Sequence, residues 1–246
     1  MENILRILTW NCQGAFRKKY PLVAGLAPDV AVIQECEHPD RIPWKQGDPP
    51  GAMLWFGESP ARGLGVFSWG GLELRAAEVY DRSIRHCVPV EVCAPYAFHI
   101  VAVWAKGHAD GRLSYSGQVY QGIAAYRDFI LETDTVFLGD FNSNLNSTPS
   151  TRIGNHVTIN NALRDLGMIS AYHYAFQEPQ GRERQATYYQ GRRLERPYHI
   201  DYLYIPTRWM RRLRRVEVGA PRPWLEHSDH CPLWVDFAPV ARDHVV

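Results

Sequence analysis

Val30-Ala31-Val32-Ile33 is a short continuous apolar run, closed off by Pro28-Asp29 before it and Gln34-Glu35 after it. A run of this length and β-branched content reads as a strand covered on both faces, because a strand with one wet face alternates instead. Val136-Phe137-Leu138 repeats the pattern, and the chain then turns through Gly139 to Asp140. Strands of this kind need a covering layer on each side. They also end abruptly in polar groups, so the scaffold and the chemistry are read from the same places.

Around these two runs the pattern is mixed. Ile4 to Trp10 is a first strand ending at Asn11, and Arg17 to Leu26 is weakly helical. Ala52 to Phe56, Leu64 to Trp69, Cys87 to Cys93 and Phe98 to Trp104 are short strands whose spacing predicts an antiparallel sheet. Val119, Ile123, Tyr126 and Ile130 then recur at helical spacing, which predicts one long amphipathic helix over Ser114 to Glu132. Thr158 to Leu166 is a second helix, with Gly167 placed for its C-cap. Ala186 to Tyr189, Ile200 to Ile205 and Arg214 to Val218 are strands, with a helical turn over Pro206 to Leu213. Leu233, Val235 and Phe237 alternate in a closing strand, and residues 238–246 read as a frayed tail. No repeat or linker interrupts the chain, so residues 1–246 are expected to form a single domain.

Composition narrows the class. Hydrophobic residues make up 46% of the chain, enough for a sizeable core, yet no apolar run approaches the roughly 18 residues that span a bilayer. The first residues enter strand-like sequence at once, without a signal-peptide pattern. Five cysteines form no CxxC pair and read as reduced core thiols, so a cytoplasmic location without disulfides or zinc is expected. A net charge of +1 argues against a globally basic nucleic-acid binder. Locally, Arg182 to Arg215 holds ten arginines against Glu183, Glu195 and Asp201, an excess of about seven positive charges. Interleaved tyrosines in the same region suit base stacking and phosphate contact, and equally suit an ordinary core strand beside a solvated loop.

The strand ends collect a constellation: Asn11, Glu35, Asp140 with Asn142, Asp201, and Asp229 with His230. Any one of these is an ordinary turn or edge residue. Asp201, between Ile200 and Tyr202, is less ordinary, because an unpaired carboxylate within a strand is costly to bury. Glu35, Asn11 and Asp229 are hard oxygen ligands of the kind that suit Mg²⁺ or Mn²⁺.

The ordered set Thr9-Trp10-Asn11, Ile33-Gln34-Glu35, Gly63-Leu64-Gly65-Val66, Gly139-Asp140-Phe141-Asn142, Ile200-Asp201-Tyr202 and Ser228-Asp229-His230 resembles the endonuclease/exonuclease/phosphatase superfamily. The resemblance spans residues 9–230. It implies a four-layer α/β sandwich of two packed, mixed β-sheets flanked by helices, and a divalent-metal phosphodiesterase. By resemblance, Glu35 is the central metal ligand, with Asn11 and Asp229 completing or supporting the shell. Asp140 orients and deprotonates the attacking water, and Asn142 binds a phosphate oxygen of the substrate. His230 acts on the phosphate with Asp201 fixing its tautomer, and the choice of general base between Asp140 and His230 stays open. The implied substrate is nucleic acid, DNA before RNA, without a membrane partner.

Two alternatives stand beside this reading. One is a phosphatase or phosphodiesterase for inositol phosphates or phospholipid head groups. The other is a catalytically dead binding module, against which the intact acids, amide and histidine argue. The chain also departs from the exonuclease III-like pattern. Gln13 stands where that branch has a carboxylate, and Trp104 falls where a phosphate-contacting Tyr or His is usual. Indole offers only an N–H donor; Lys106 and His108 are candidate replacements, with a surface-loop role the favoured reading of both.

Overall fold

The computed structural model describes residues 4–44, 49–93, 97–108, 110, 115–146 and 154–238. The first strand, β1 (Leu5–Asn11), is followed by a 3-10 turn at Phe16–Lys18 and a short helix, α1 (Tyr20–Ala24). The doubly covered run becomes β2 (Val30–Cys36), in which Val30 to Ile33 are fully buried. β3 (Ala52–Ser59) and β4 (Arg62–Ser68) form a hairpin, followed by β5 (Leu74–Ala76), β6 (Cys87–Val92) and β7 (Phe98–Trp104). Helices α2 (Ser116–Ala125) and α3 (Arg127–Glu132) lead into β8 (Thr135–Asp140). Then come α4 (His156–Asp165), β9 (Met168–Ser170), α5 (Ala171–Phe176) and the two-residue strands β10 (Tyr188–Tyr189) and β11 (Pro197–Tyr198). β12 (Asp201–Pro206), β13 (Leu213–Val218), α6 (Pro221–Trp224) and β14 (Leu233–Phe237) complete the order.

The strands build two six-stranded mixed sheets, ordered β13-β14-β1-β2-β4-β3 and β5-β6-β7-β8-β12-β9. Each has one parallel pair at its centre, β1 with β2 and β7 with β8, among antiparallel neighbours. Period-two alternation explains how the second sheet serves two cores. Ile100, Ala102, Val136, Leu138, Leu203 and Ile205 face the core shared with the first sheet. Val101, Val103, Phe137, Tyr202 and Tyr204 face the opposite way, onto Val119, Ile123, Ile159 and Leu163 of α2 and α4. Phe16, Tyr20 and Val23 pack on the far side of the first sheet. The result is helix, sheet, sheet, helix, the four-layer α/β sandwich expected from the resemblance. A polar tie also crosses between the sheets: buried Gln34 on β2 donates from Nε2 to the carbonyl of Val103 on β7 at 3.2 Å.

Several local expectations change. The helix over 116–132 is broken at Tyr126 (φ −102°, ψ 22°), whose buried ring carries its hydroxyl to the backbone N–H of Asp81 at 3.3 Å. Position 114, the expected start, lies outside the described residues. The four middle strands form two antiparallel hairpins in different sheets, because Gly70 and Gly71 (φ 66° and 79°) turn the chain between them. The weak helix over 17–26 is reduced to a 3-10 turn and five residues of α1, with Pro21 in its first turn. The strand over 186–189 is only its last two residues, and β5, β9 and α5 were without a sequence signal. Residues 239–246 of the expected tail lie outside the described residues.

Candidate active site

Register brings the polar strand ends to one edge of the sandwich. Asn11 pairs with Gln34 in the parallel β1/β2 ladder, and Trp104 with Asp140 in the parallel β7/β8 ladder. Asp201, at the start of β12, lies opposite Asp140 at the end of β8. Asp229-His230 enters β14 at the same edge, because Trp10 Nε1 donates to the His230 carbonyl at 2.9 Å and Ser228 Oγ to the Asn11 carbonyl at 2.7 Å.

Two backbone irregularities aim the acids. Gly139 has φ 143°, and a Cβ there would lie 2.0 Å from the Val103 carbonyl oxygen, so only glycine lets β8 reach its end beside β7. Glu35 sits at the register shift between Gln34 and Cys36 with φ 62°, a bulge that turns its carboxylate out of the core. Its side chain is 20% exposed and lies 3.4 Å from Arg62 Nη1, at the start of β4. Sequence reading missed Arg62, because its place follows from the hairpin register alone.

Asp140 is fully buried and accepts from Asn11 Nδ2 at 2.9 Å, from the Asn142 backbone N–H at 2.9 Å and from Asn142 Nδ2 at 3.3 Å. Burial and then the charge of Asp201 push its carboxyl above the usual range, against the opposing pull of His230 and these donors. His230 holds Asp201 Oδ2 at 2.8 Å through Nδ1 and directs Nε2 toward Asp140 Oδ2 at 4.0 Å. Burial lowers the imidazole pKa, but Asp201 and Asp140 more than reverse this and raise it above its ordinary value. Thr187 Oγ1, also missed from sequence, accepts from the backbone N–H groups of Ile200 and Asp201 at 3.1 and 3.0 Å and so fixes the start of β12.

Asn11 also donates to Glu35 Oε1 at 3.3 Å, while its own oxygen accepts from the Gln13 N–H at 3.0 Å. Its amide therefore orients two carboxylates. Asp229 is raised by burial foremost and is within electrostatic reach of His230, Glu35 and Arg192. Asp140, Asp201 and His230 offer ligand atoms within 4.8 Å of one another, but hydrogen bonds engage Asp140, Asp201 Oδ2 and His230 Nδ1, which leaves Asp201 Oδ1 buried without a partner among the described residues. The half-open Glu35 and Asp229 carboxylates fit a hard divalent cation better. The neighbouring thiols do not compete: burial pushes Cys12 and Cys231 up to about 12, and Cys36 is raised as well, so all stay protonated. These three and Cys87 are buried core thiols as expected, but Cys93, just past the end of β6, is exposed and is not one.

Cations and aromatics form the rim. Lys106 Nζ lies 3.3 Å above the centre of the Trp104 ring, and the ring is nearly buried. Lys19 donates to the Cys12 carbonyl at 2.6 Å, and Arg192 donates to Gln13 Oε1 at 2.6 Å. Tyr188 packs on His230 with ring centres 4.7 Å apart, and its hydroxyl is electrostatically coupled to Asp229, Asp140, Tyr198 and Tyr115. The arginine excess divides differently from its sequence span. Arg208 to Arg215 follow the far end of β12, about 20 Å from Asp201 at roughly 3.3 Å per residue, so they cannot line this edge. Of the remaining histidines, His99 stacks on Phe129, His156 meets Ser143 and Gln180, and His173 pairs with Glu183, all structural roles.

No protein-family model matches the sequence, and no curated protein does. Solved structures match along nearly the whole chain. An AP endonuclease from Leishmania major has 12% identity and a TM-score of 0.71, covering 96% of this chain and 88% of its own. A 3′ phosphatase from Neisseria, bound to product DNA hairpin, has 20% identity and a TM-score of 0.66, covering 95% and 99%. The endonuclease domain of TRAS1, a telomere-specific non-LTR retrotransposon, has 15% identity and a TM-score of 0.64, covering 96% and 98%. At these identities the likeness is one of fold.

Proposed function

We propose that this chain, whose fold is that of the endonuclease/exonuclease/phosphatase superfamily, is a divalent-metal-dependent nuclease that hydrolyses phosphodiester bonds of DNA. The observation that carries the reading is the convergence of buried Asp140 and the Asp201-held His230 on the edge where Glu35 and Asp229 stand. That the structural neighbours include enzymes named for DNA chemistry supports the substrate class. Five unpaired cysteines support a reducing, cytoplasmic setting.

Glu35 and Asp229 would hold Mg²⁺ or Mn²⁺, with Asn11 keeping the Glu35 carboxylate in place. A cation bound there supplies Lewis-acid charge for the phosphate and the leaving oxygen. Asp140, raised toward neutrality, is the proton acceptor for an attacking water, and three N–H donors fix its oxygens for that task. His230, kept cationic by Asp201, donates from Nε2 to a non-bridging phosphate oxygen. Asn142 is the remaining phosphate ligand: both hydrogens of its Nδ2 are engaged here, by the Ala105 carbonyl at 3.0 Å and by Asp140 Oδ2 at 3.3 Å, so it takes a phosphate oxygen by giving up the longer bond to Asp140. The water and its proton thus fall to Asp140, the phosphate charge to His230, and the leaving oxygen to the cation that Glu35 and Asp229 would hold.

The test compares wild type and Asp140→Asn on single-stranded DNA, abasic duplex, supercoiled plasmid, RNA and inositol phosphates, with Mg²⁺, Mn²⁺ or EDTA. Turnover of DNA that requires metal and falls at least about a hundredfold in the variant is the expected result. Selective turnover of inositol phosphates would replace DNA as the substrate, and activity in EDTA would remove the metal from the reading.

A further inference from the structure

A cavity of about 360 Å³ opens beside the site, lined by Ser83, Arg85, His86, His108, Gln118 and Gln121 together with Ile84. Ligand pockets start at roughly 300 Å³, so it is of a useful size. It lies at the same edge of the sandwich. β6 begins at Cys87, paired with Val103 near the end of β7, and the Trp104 N–H donates to the His86 carbonyl at 3.0 Å.

Apart from Ile84, every side chain of the lining can donate a hydrogen bond. None of its described residues is acidic. Gln118 is only 5% exposed, and its Nε2 has no hydrogen-bond partner among the described residues. Its Oε1 is held by the Lys106 backbone N–H at 2.9 Å, which fixes the amide with its nitrogen as the free donor. Burial first, and then the charges of Lys106 and Arg85, lower the His86 pKa to about 4. Among the described residues Arg85 has one acidic partner, the exposed Glu58, which is not part of the cavity lining. A buried orphan donor beside cations and the neutral His86 imidazole is the environment of an oxyanion.

We infer that this cavity is a second anion subsite, taking a phosphodiester of the substrate strand that flanks the one placed against Asn142 and His230. Lys106 links the two places: its charge acts on His86, and the charge of Glu35 acts on Lys106. A strand following that edge puts one phosphate at the acids and a neighbouring one at Arg85 and Gln118. The inference rests on the nuclease reading for the identity of the ligand, but not for the existence of the anion site.

The experiment therefore reads binding, in EDTA and without turnover. The imidazole resonances of His86 and His108 are followed by NMR during titration with inorganic phosphate and, separately, with the oligonucleotide dT4. Saturable shifts of both rings are expected with either probe, with dT4 acting at a concentration at least about tenfold lower. The solvent-exposed change Arg85→Ala should weaken both by about tenfold. His230→Ala should preserve the phosphate-induced shifts, which separates this cavity from the catalytic edge. Absence of saturable shifts in wild type overturns the anion site. Shifts with phosphate and none with dT4 overturn its assignment to a strand, whatever substrate the enzyme turns over.

Discussion

Asp140 is where residue-scale physics is most concentrated: a fully buried carboxyl with three N–H donors and a second carboxylate, Asp201, close enough to oppose its ionisation. Donors alone would depress its pKa, so burial and the acidic neighbour are what leave it able to accept a proton near neutrality. Asp140→Asn keeps the shape and removes the acceptor. Its initial rate should fall by about 10²–10⁴ while its circular dichroism matches wild type. Thr187 tests the support beneath this pair. Thr187→Val leaves the N–H groups of Ile200 and Asp201 buried without an acceptor, at about 1–3 kcal/mol each. Denaturant unfolding should show the loss of stability, and the rate should fall with it. Asp140, Asp201 and His230 were legible because acids and a histidine stand out at the ends of apolar runs. Thr187 and Arg62 were not, because a threonine or an arginine acquires its role only from which strand lies next to it.

At the scale of elements, the strands were legible wherever burial imposed a period, as in β7 and β8, whose alternate residues enter different cores. The assignment of hairpins to sheets was not legible, since nothing in β3 to β7 distinguishes a neighbour in the same sheet from one across the core. Gly139 marks the opposite case, a local feature with a long-range cause. Gly139→Ala would place a methyl against the Val103 carbonyl oxygen at a φ that side chains avoid. Thermal denaturation of this variant should show a marked loss of stability or no folded protein. The segment after α5 also depends on a charge. Burial raises the Glu183 pKa, but hydrogen bonds from His173 and the Gly181 N–H outweigh it and bring the carboxyl down to about 2 from 4.5. Because the folded value lies below the unfolded one, Glu183 stabilises fully above pH 4.5 and loses that contribution as pH falls toward 2. Urea unfolding of wild type and Glu183→Gln should therefore differ most at pH 6 and converge toward pH 2.

On the scale of the whole molecule, the question is where an almost neutral chain keeps its positive charge. In sequence the arginines between 182 and 215 look like one basic patch. The fold splits them along β12, because a strand's start and its end belong to opposite edges of a sandwich. Arg208 is paired with Asp134 and Arg215 with Glu217 at the far edge, while Arg192, Lys19, Arg62 and Lys106 surround the acids. A duplex or single strand engaged at the catalytic edge releases counterions only where its phosphates meet cations, so the salt dependence of binding locates the groove. DNA binding by Arg211→Ala/Arg214→Ala, followed by fluorescence anisotropy between low and moderate salt, should keep the wild-type slope. Removing Arg62 or Lys106 should flatten log K against log salt by about 0.7–0.9 for each phosphate that the variant no longer neutralises. If the far-edge pair changed the slope and the near-edge residues did not, the strand would have to cross the other end of the sandwich. The acids gathered around Asp140 would then lie away from the DNA they are proposed to cut.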